Sequence, residues 1–140
     1  RGVAIKGSLR TFNDSLRQQA LGRMHDLLQE IDTEFEVKSS IELVHGTVPL
    51  MNEPNVTRTV LDVARSMIGD KASILGRPLT VSDDFAEFLT RIPGCYFMLG
   101  VMPEGSPPPS HHSPGFKIDE SALEIGVKVL AGAAARLASN

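Results

Sequence analysis

Residues 94–102 read GCYFMLGVM, a stretch that is apolar at nearly every position. Alternating apolar and polar residues indicate a strand with one solvated face, whereas an uninterrupted apolar run is typical of a strand buried on both faces. Such strands lie centrally in a sheet that helices cover. The stretch therefore predicts an α/β fold for the second half of the chain. We interpret its single cysteine, Cys95, as a small core thiol.

Helices are predicted on both sides of this strand. Pro54 suits the first position of a helix that ends at Gly69. Ser82 is expected to cap a second helix, and a third is expected to begin at Asp119 and continue almost to the end of the chain. A further short strand is predicted at residues 72–81, so that strands and helices alternate through this half.

The first half of the chain has a different pattern. Residues 3–12 (VAIKGSLRTF) and 36–44 (EVKSSIELV) alternate apolar and polar positions, which predicts two strands with one solvated face each. Between them, apolar residues recur at helical spacing after a cap at Asn13 or Asp14. This order predicts half of a small α/β sandwich, with one sheet covered by helices on one side.

A segment rich in proline and asparagine separates the two halves. It reads HGTVPLMNEPN and begins at His45, which we interpret as a hydrogen-bonded surface histidine. The predicted domains are therefore residues 1–49 and residues 50–140.

Two of the four histidines are adjacent in a proline-rich loop, SPPPSHHSPGF, at residues 106–116. Prolines restrict the conformations of the residues that they flank, and imidazole either binds metals or transfers protons. An exposed loop without a function is the alternative. The loop follows the predicted buried strand directly, and open α/β sheets place their sites beyond the carboxyl ends of strands. This position favours a functional role for the pair.

The composition excludes several classes of function. The 140 residues carry a net charge of −3, with one Tyr, no Trp and no cluster of Lys or Arg, so no nucleic-acid partner is expected. No apolar run reaches the ~18–20 residues of a spanning helix, and one cysteine allows no internal disulfide. We therefore expect a cytoplasmic protein with no membrane partner. Because the chain begins at Arg1 without a methionine, we expect it to be a portion of a longer protein.

Three motifs in the second half resemble one enzyme family when they are taken in order. They are an acid-acid-Phe-Ala segment at 83–86, IPGCYFMLG at 92–100, and His-x-Pro-x-Phe-x-x-x-Glu at 112–120. Together they are similar to the carboxyl end of the metal-dependent amidohydrolases, which include aminoacylases, hippurate hydrolases and auxin-conjugate hydrolases. Residues 4–28 resemble the second half of the lid or dimerisation domain of these enzymes.

The resemblance implies a fold and a reaction. Residues 1–49 would be the second half of a lid or dimerisation α+β sandwich, and residues 50–140 the carboxyl-terminal part of an α/β metallohydrolase domain. The parent protein would cleave the amide bond of N-acyl amino acids or similar conjugates, using a divalent metal, zinc or manganese, to activate water. The glutamate base of the family has no counterpart here, so we expect the chain alone to be inactive.

The resemblance also implies roles for individual residues. His112 matches the final metal ligand of the family, with His111 as a neighbour. Arg10 matches a lid arginine that grips the substrate carboxylate, and a surface ion pair is the alternative for it. Asp83 stands where the family usually has Glu, and neither it nor Asp84 is assigned a catalytic role. No residue of this chain is predicted to be catalytic.

The expected partners are a small N-acyl amino acid substrate and a second copy of the protein, bound through the lid domain. Two other functions remain open from the sequence. The first is a metallo-exopeptidase, a carboxypeptidase or dipeptidase, of the same superfamily. The second is a dimerisation module without catalytic activity.

Overall fold

The computed structural model describes residues 2–107 and 112–139 of the chain. Its helices are α1 (Asp14–Phe35), α2 (Pro54–Ile68), α3 (Phe85–Leu89) and α4 (Ser121–Ala138), and a short 3-10 turn (Gly69–Lys71) follows α2. None of the helices in this described part is long and apolar enough to cross a membrane.

Local signals in the sequence correctly place the ends of two helices. The side chain of Asn13 accepts a 2.8 Å hydrogen bond from the backbone N–H of Leu16, which satisfies one free donor at the start of α1. Pro54 is the first residue of α2, where its missing N–H costs no hydrogen bond. Gly69 ends α2 with a φ of 59°, a conformation that glycine adopts without strain.

Two other predicted helix starts are wrong by a few residues. The short helix α3 begins at Phe85, whose N–H donates a 2.9 Å bond to the carboxylate of Asp83, so Asp83 takes the place predicted for Ser82. Helix α4 begins at Ser121 after its N-cap residue Glu120, and Asp119 lies before the helix, where its carboxylate accepts a hydrogen bond from the N–H of Ser121. In both cases an aspartate bonds the N–H two residues further on, the local turn that this side chain favours.

The predicted strands are absent from the described residues. The segments 3–12, 36–44, 72–81 and 95–102 carry no regular secondary structure. Side-chain alternation indicates which face of a segment can be buried, but a strand also needs a neighbour that pairs with its backbone N–H and C=O groups. For the described residues, the predicted α/β class is therefore corrected to helices joined by irregular segments, and the lid sandwich stays a prediction.

The chain divides into two compact units. The first contains Arg1–Leu50 and Pro78–Glu87, and the second contains Met51–Arg77 and Phe88–Asn140. The assignment of residues 1–49 and 50–140 to a lid and a catalytic domain stays a prediction.

Helix α1 belongs to the first unit and buries none of its residues. Glu36 ends the helix in the left-handed region, with a φ of 53°, and its N–H donates to the carbonyl of Asp32. The carboxylate of Asp32 in turn accepts a 2.9 Å hydrogen bond from the N–H of Ser39. Hydrogen bonds from the hydroxyl and the N–H of Ser39 hold the pKa of Asp32 below its usual value of 3.8. These bonds fasten the carboxyl end of α1 to the segment that follows it.

The core of the second unit lies between α2 and α4. Its buried residues Val60, Val129 and Ala133 form one cluster. Partly buried side chains that pack against this cluster include Cys95 and Phe97, both from the apolar stretch at residues 94–102. That stretch therefore contributes to a core as predicted, although its backbone forms no strand.

Small residues on α4 allow this close packing. A Cβ atom added to Gly132 would lie 2.9 Å from Cγ1 of Val63 and 3.3 Å from Cε of Met67. A Cβ atom added to Gly126 would lie 2.9 Å from Cδ2 of Leu99. The two glycines therefore set how closely α2 and the apolar stretch approach α4.

Candidate functional site

The loop that carries the histidine motif is closed at its base by a backbone hydrogen bond. The N–H of Asp119 donates to the carbonyl of Val101 over 2.8 Å, which joins the end of the apolar stretch to the start of α4. The N–H of Phe116 donates to the carbonyl of Ser113 over 3.1 Å and makes a turn inside the loop. The loop is thereby anchored directly on elements that form the core of the second unit.

Asp119 has a second role at this point. Its carboxylate accepts a 2.9 Å hydrogen bond from the N–H of Ser121, and its carbonyl accepts a 3.1 Å bond from the N–H of Ala122. Hydrogen bonds from the hydroxyl and then the N–H of Ser121 hold the pKa of Asp119 below its usual value of 3.8. Asp119 therefore closes the loop and accepts hydrogen bonds from the first two N–H groups of α4.

His112 directly precedes the turn from Ser113 to Phe116 and is exposed. Its φ is 61°, in the left-handed region that costs a residue with a Cβ atom roughly 1–2 kcal/mol. The other non-glycine residue with positive φ among the described positions is Glu36, where the left-handed conformation ends a helix. His112 has no such role, and strained conformations of this kind cluster at functional sites. His111, its predicted neighbour, lies outside the described residues.

The described residues do not complete a metal site around His112. No group of three or more His, Cys, Asp or Glu side chains that could hold a metal ion occurs at positions 2–107 and 112–139. A catalytic zinc needs three protein ligands as a rule. The part of the chain that the structure describes therefore does not fit a resident metal by itself, and we derive no catalytic step from it.

Arg10 lies in the first unit and is exposed. Its Nη1 donates a 2.8 Å hydrogen bond to the carbonyl of Thr80, 70 residues further along the chain. Within the described ranges the ion pairs are Arg23–Glu30 and Glu124–Lys128, so the surface ion pair considered for Arg10 does not form there. The bond to Thr80 ties residue 10 to the segment 78–87 and uses one of the five N–H donors of the guanidinium.

Asp83 and Asp84 have structural roles before α3. The carbonyl of Asp83 accepts from the N–H of Ala86 over 3.2 Å, and that of Asp84 accepts from the N–H of Glu87 over 2.9 Å. Together with the Asp83 carboxylate described above, these bonds build the first turn of the helix. That neither residue is catalytic stays a prediction.

A side-chain pairing that the sequence did not reveal holds the apolar stretch in place. The amide nitrogen of Asn52 donates to the carbonyl of Tyr96, and the N–H of Tyr96 donates to the amide oxygen of Asn52, both over 2.8 Å. The N–H of Glu53 donates to the carbonyl of Gly94 over 2.9 Å. The sequence signal for this pairing is the position of Asn52, directly before the capping residue of α2. Its partner Tyr96 is 44 residues further along the chain, so the sequence does not indicate which residue Asn52 binds.

A second unforeseen pairing involves Arg17 and His45 in the first unit. Nη2 of Arg17 lies 2.9 Å from Nδ1 of His45. The hydrogen-bonded surface histidine predicted at position 45 is confirmed, and its partner is a cation.

A depression of about 520 Å³ on the first unit is lined by Asp26, Gln29, Glu30, Thr33 and Glu34. All of these residues belong to α1, so the depression lies along one face of a single helix and encloses nothing. It offers no candidate for a buried substrate pocket.

The chain matches a family of hydrolytic enzymes over nearly its whole length. The model of that family, described as peptidase family M20/M25/M40, matches residues 4–136. The chain belongs to peptidase family M20/M25/M40, and the resemblance proposed from its motifs is confirmed.

Curated relatives support the same family. The chain is 31% identical to N-acetyl-L-cysteine deacetylase of Bacillus subtilis, over 86% of this chain and 28% of the relative. It is 27% identical to N-acetyldiaminopimelate deacetylase of Enterococcus faecalis, over 93% of this chain and 33% of the relative. It is also 27% identical to thermostable carboxypeptidase 2 of Saccharolobus solfataricus, over 87% of this chain and 31% of the relative. The chain spans about a third of the length of these relatives. No solved structure matches it.

Proposed function

We propose that the protein carrying this chain is a hydrolase that cleaves the amide bond of N-acyl amino acids or similar conjugates. The observation that supports this most is the family match across residues 4–136. Two of the relatives described above are named as deacetylases of N-acetylated amino compounds. Because the chain spans about a third of these relatives, the activity is proposed for the whole protein, and the chain alone is expected to be inactive.

We propose that the whole enzyme uses a divalent metal, zinc or manganese, and that His112 supplies one ligand to it. The strained backbone of His112 and the closed base of its loop support this role, because a ligand that is already held in place needs less reorganisation when the metal binds. The other ligands and the general base would come from the rest of the protein.

We propose that Arg10 reads the carboxylate of the substrate. Its bond to the carbonyl of Thr80 fixes one guanidinium nitrogen and leaves donors for a carboxylate, which the planar fork of arginine binds at two points. The bond to Thr80 would also serve a purely structural role of Arg10. The binding role and the structural role are separated by comparing the substrates that Arg10 variants hydrolyse.

A second candidate function is exopeptidase activity, and the similarity to a carboxypeptidase favours it. Homodimer formation through the predicted lid domain, residues 1–49, and a cytoplasmic location also remain proposals. A dimerisation module without catalysis is the remaining alternative.

An assay of the intact protein decides between these functions. The protein, purified with zinc or with manganese, is incubated with N-acetyl amino acids and with dipeptides, and the free amino groups released are measured. We expect faster turnover of the acylated amino acids, and loss of this turnover when a chelator removes the metal. Faster turnover of dipeptides would support the exopeptidase, and no turnover of either class would support the dimerisation module.

A further inference from the structure

The segment Pro78–Glu87 belongs to the first unit, although the residues on both sides of it in the sequence belong to the second. It contains Ala86, which is 1% exposed. Among the described residues, Ala86 is the one buried hydrophobic residue that lies in the first unit. A buried side chain holds its segment in place, because close-packed interiors leave little room for displacement. The segment is therefore anchored in the first unit at Ala86.

Two hydrogen bonds join the same segment to residues 1–50. Near its start, the carbonyl of Thr80 accepts the 2.8 Å bond from Nη1 of Arg10. At its end, Oε1 of Glu87 accepts a 3.3 Å bond from the N–H of Val48. The first turn of α3 lies between these two points, and its own hydrogen bonds hold it. The place of the Thr80 carbonyl, and with it that of the Arg10 guanidinium, therefore depends on how α3 is fastened.

We propose that Ala86 and Glu87 are positioning residues for Arg10 and place its guanidinium to receive the carboxylate of the substrate. This role rests on the carboxylate-binding role proposed above for Arg10. A two-point bond between a guanidinium and a carboxylate is directional, so a small displacement of the guanidinium weakens it. Ala86 and Glu87 act through the carbonyl of Thr80 and not by contact with the substrate.

The test compares N-acyl amino acids with the same compounds amidated at the carboxylate, using the intact protein. Glu87→Ala removes the acceptor for the N–H of Val48, and we expect kcat/KM for the acids to fall roughly three- to tenfold, mainly through KM. Ala86→Val adds two methyl groups at a buried position and should displace the segment further. Both variants should slow the amides less than about twofold, because the amides offer no carboxylate to Arg10.

Two further variants separate positioning from a general structural effect. In an Arg10→Ala background, Glu87→Ala should cause no further loss with the acids, because the group that it positions is gone. Glu30→Ala is the matched control, since the exposed carboxylate of Glu30 is bonded to Arg23 on its own helix, and it should hydrolyse both kinds of substrate as the wild type does.

The outcome with Glu87→Ala decides the proposal even if Ala86→Val does not fold. The proposal is overturned if Arg10→Ala slows the acids selectively while Glu87→Ala leaves the preference for acids unchanged, or if Glu87→Ala slows acids and amides by the same factor. Equal slowing of both substrates by Arg10→Ala, or no turnover by the wild type, would instead refute the proposed function of Arg10 or of the protein, and the positioning role with it.

Discussion

Asn52 and Tyr96 are joined by two hydrogen bonds of 2.8 Å, in which the side-chain amide of one residue pairs with both backbone groups of the other. This pairing does for residue 96 what a neighbouring strand would do, since it satisfies an N–H and a C=O at once. It attaches the apolar stretch to the segment that leads into α2.

Replacing Asn52 should therefore destabilise the second unit. Asn52→Ala removes both of these hydrogen bonds to the backbone of Tyr96, and we expect the free energy of unfolding of the intact protein to fall by about 1–3 kcal/mol. Asn52→Asp keeps the acceptor and loses the donor, so it should also destabilise. Asn55→Ala is the control, because its amide makes one exposed 3.2 Å bond to Glu53. Equal stability of Asn52→Ala and Asn55→Ala in denaturant unfolding would contradict this prediction.

Gly132 should tolerate a methyl group less well than other helical glycines. In Gly132→Ala the new Cβ would meet Val63, a buried β-branched side chain that cannot easily change its rotamer. We expect a net loss of about 1–2 kcal/mol, since the strain of overpacking exceeds the gain in helix propensity of roughly 1 kcal/mol. Gly126→Ala meets only the end of the flexible Leu99 side chain and should cost less.

Gly22 provides the matched control for this series. It lies within α1 and has no atom within 4 Å of an added Cβ, so Gly22→Ala should be neutral or stabilising. Thermal unfolding of the three variants should rank Gly132→Ala as the least stable and Gly22→Ala as the most stable. Any other order of stability would show that close packing on α4 does not determine the effect of these substitutions.

Asp119 should make the stability of the protein depend on pH in the acid range. Its pKa is lowered in the folded state by its hydrogen bonds with Ser121, so the ionised form stabilises the fold. This contribution is fully present above the ordinary value of 3.8, and it is lost as the pH falls through the lowered value. In Asp119→Asn, unfolding measured between about pH 2 and 5 should lose this part of its pH dependence. An acid unfolding profile of Asp119→Asn identical to that of the wild type would contradict this prediction.

His112 should be important for the metal content of the intact protein. We expect His112→Ala to lower the bound metal and the turnover of the intact protein, while the unfolding transition of the metal-free protein stays unchanged because His112 is exposed. His112→Gly should lose the metal equally but raise stability by about 1 kcal/mol, because glycine adopts a φ of 61° without strain. His25→Ala, at an exposed position of α1, is the control. Wild-type metal stoichiometry in His112→Ala would remove His112 from the site.

Arg10 should discriminate between acid and amide substrates if it reads a carboxylate. Arg10→Ala should lower kcat/KM for N-acyl amino acids by roughly 30- to 1000-fold, and Arg10→Lys should recover only part of this. Substrates amidated at the carboxylate should be poor for the wild type and hardly worse for Arg10→Ala. If both kinds of substrate slow by the same factor, the bond to Thr80 is the main role of Arg10.

The sequence alone determined the features of this protein that depend on near neighbours in the chain. Asn13, Pro54 and Gly69 mark helix ends because a cap acts over two or three residues, and such short patterns are visible in sequence. The family was also evident, because motifs at fixed spacing in the second half resemble it, and the match over residues 4–136 confirms it.

Only the tertiary structure decided which distant residues meet. Asn52 pairs with Tyr96 across 44 positions, Arg10 with Thr80 across 70, and Arg17 with His45 across 28. Periodicity predicted strands because it indicates burial on a face, but a strand exists only where another segment lies in register to complete its hydrogen bonds. Among the described residues, the side chain of Asn52 bonds the backbone of Tyr96, and a single backbone hydrogen bond joins Val101 to Asp119. No local pattern of residues in the sequence indicates which distant residue will be the partner.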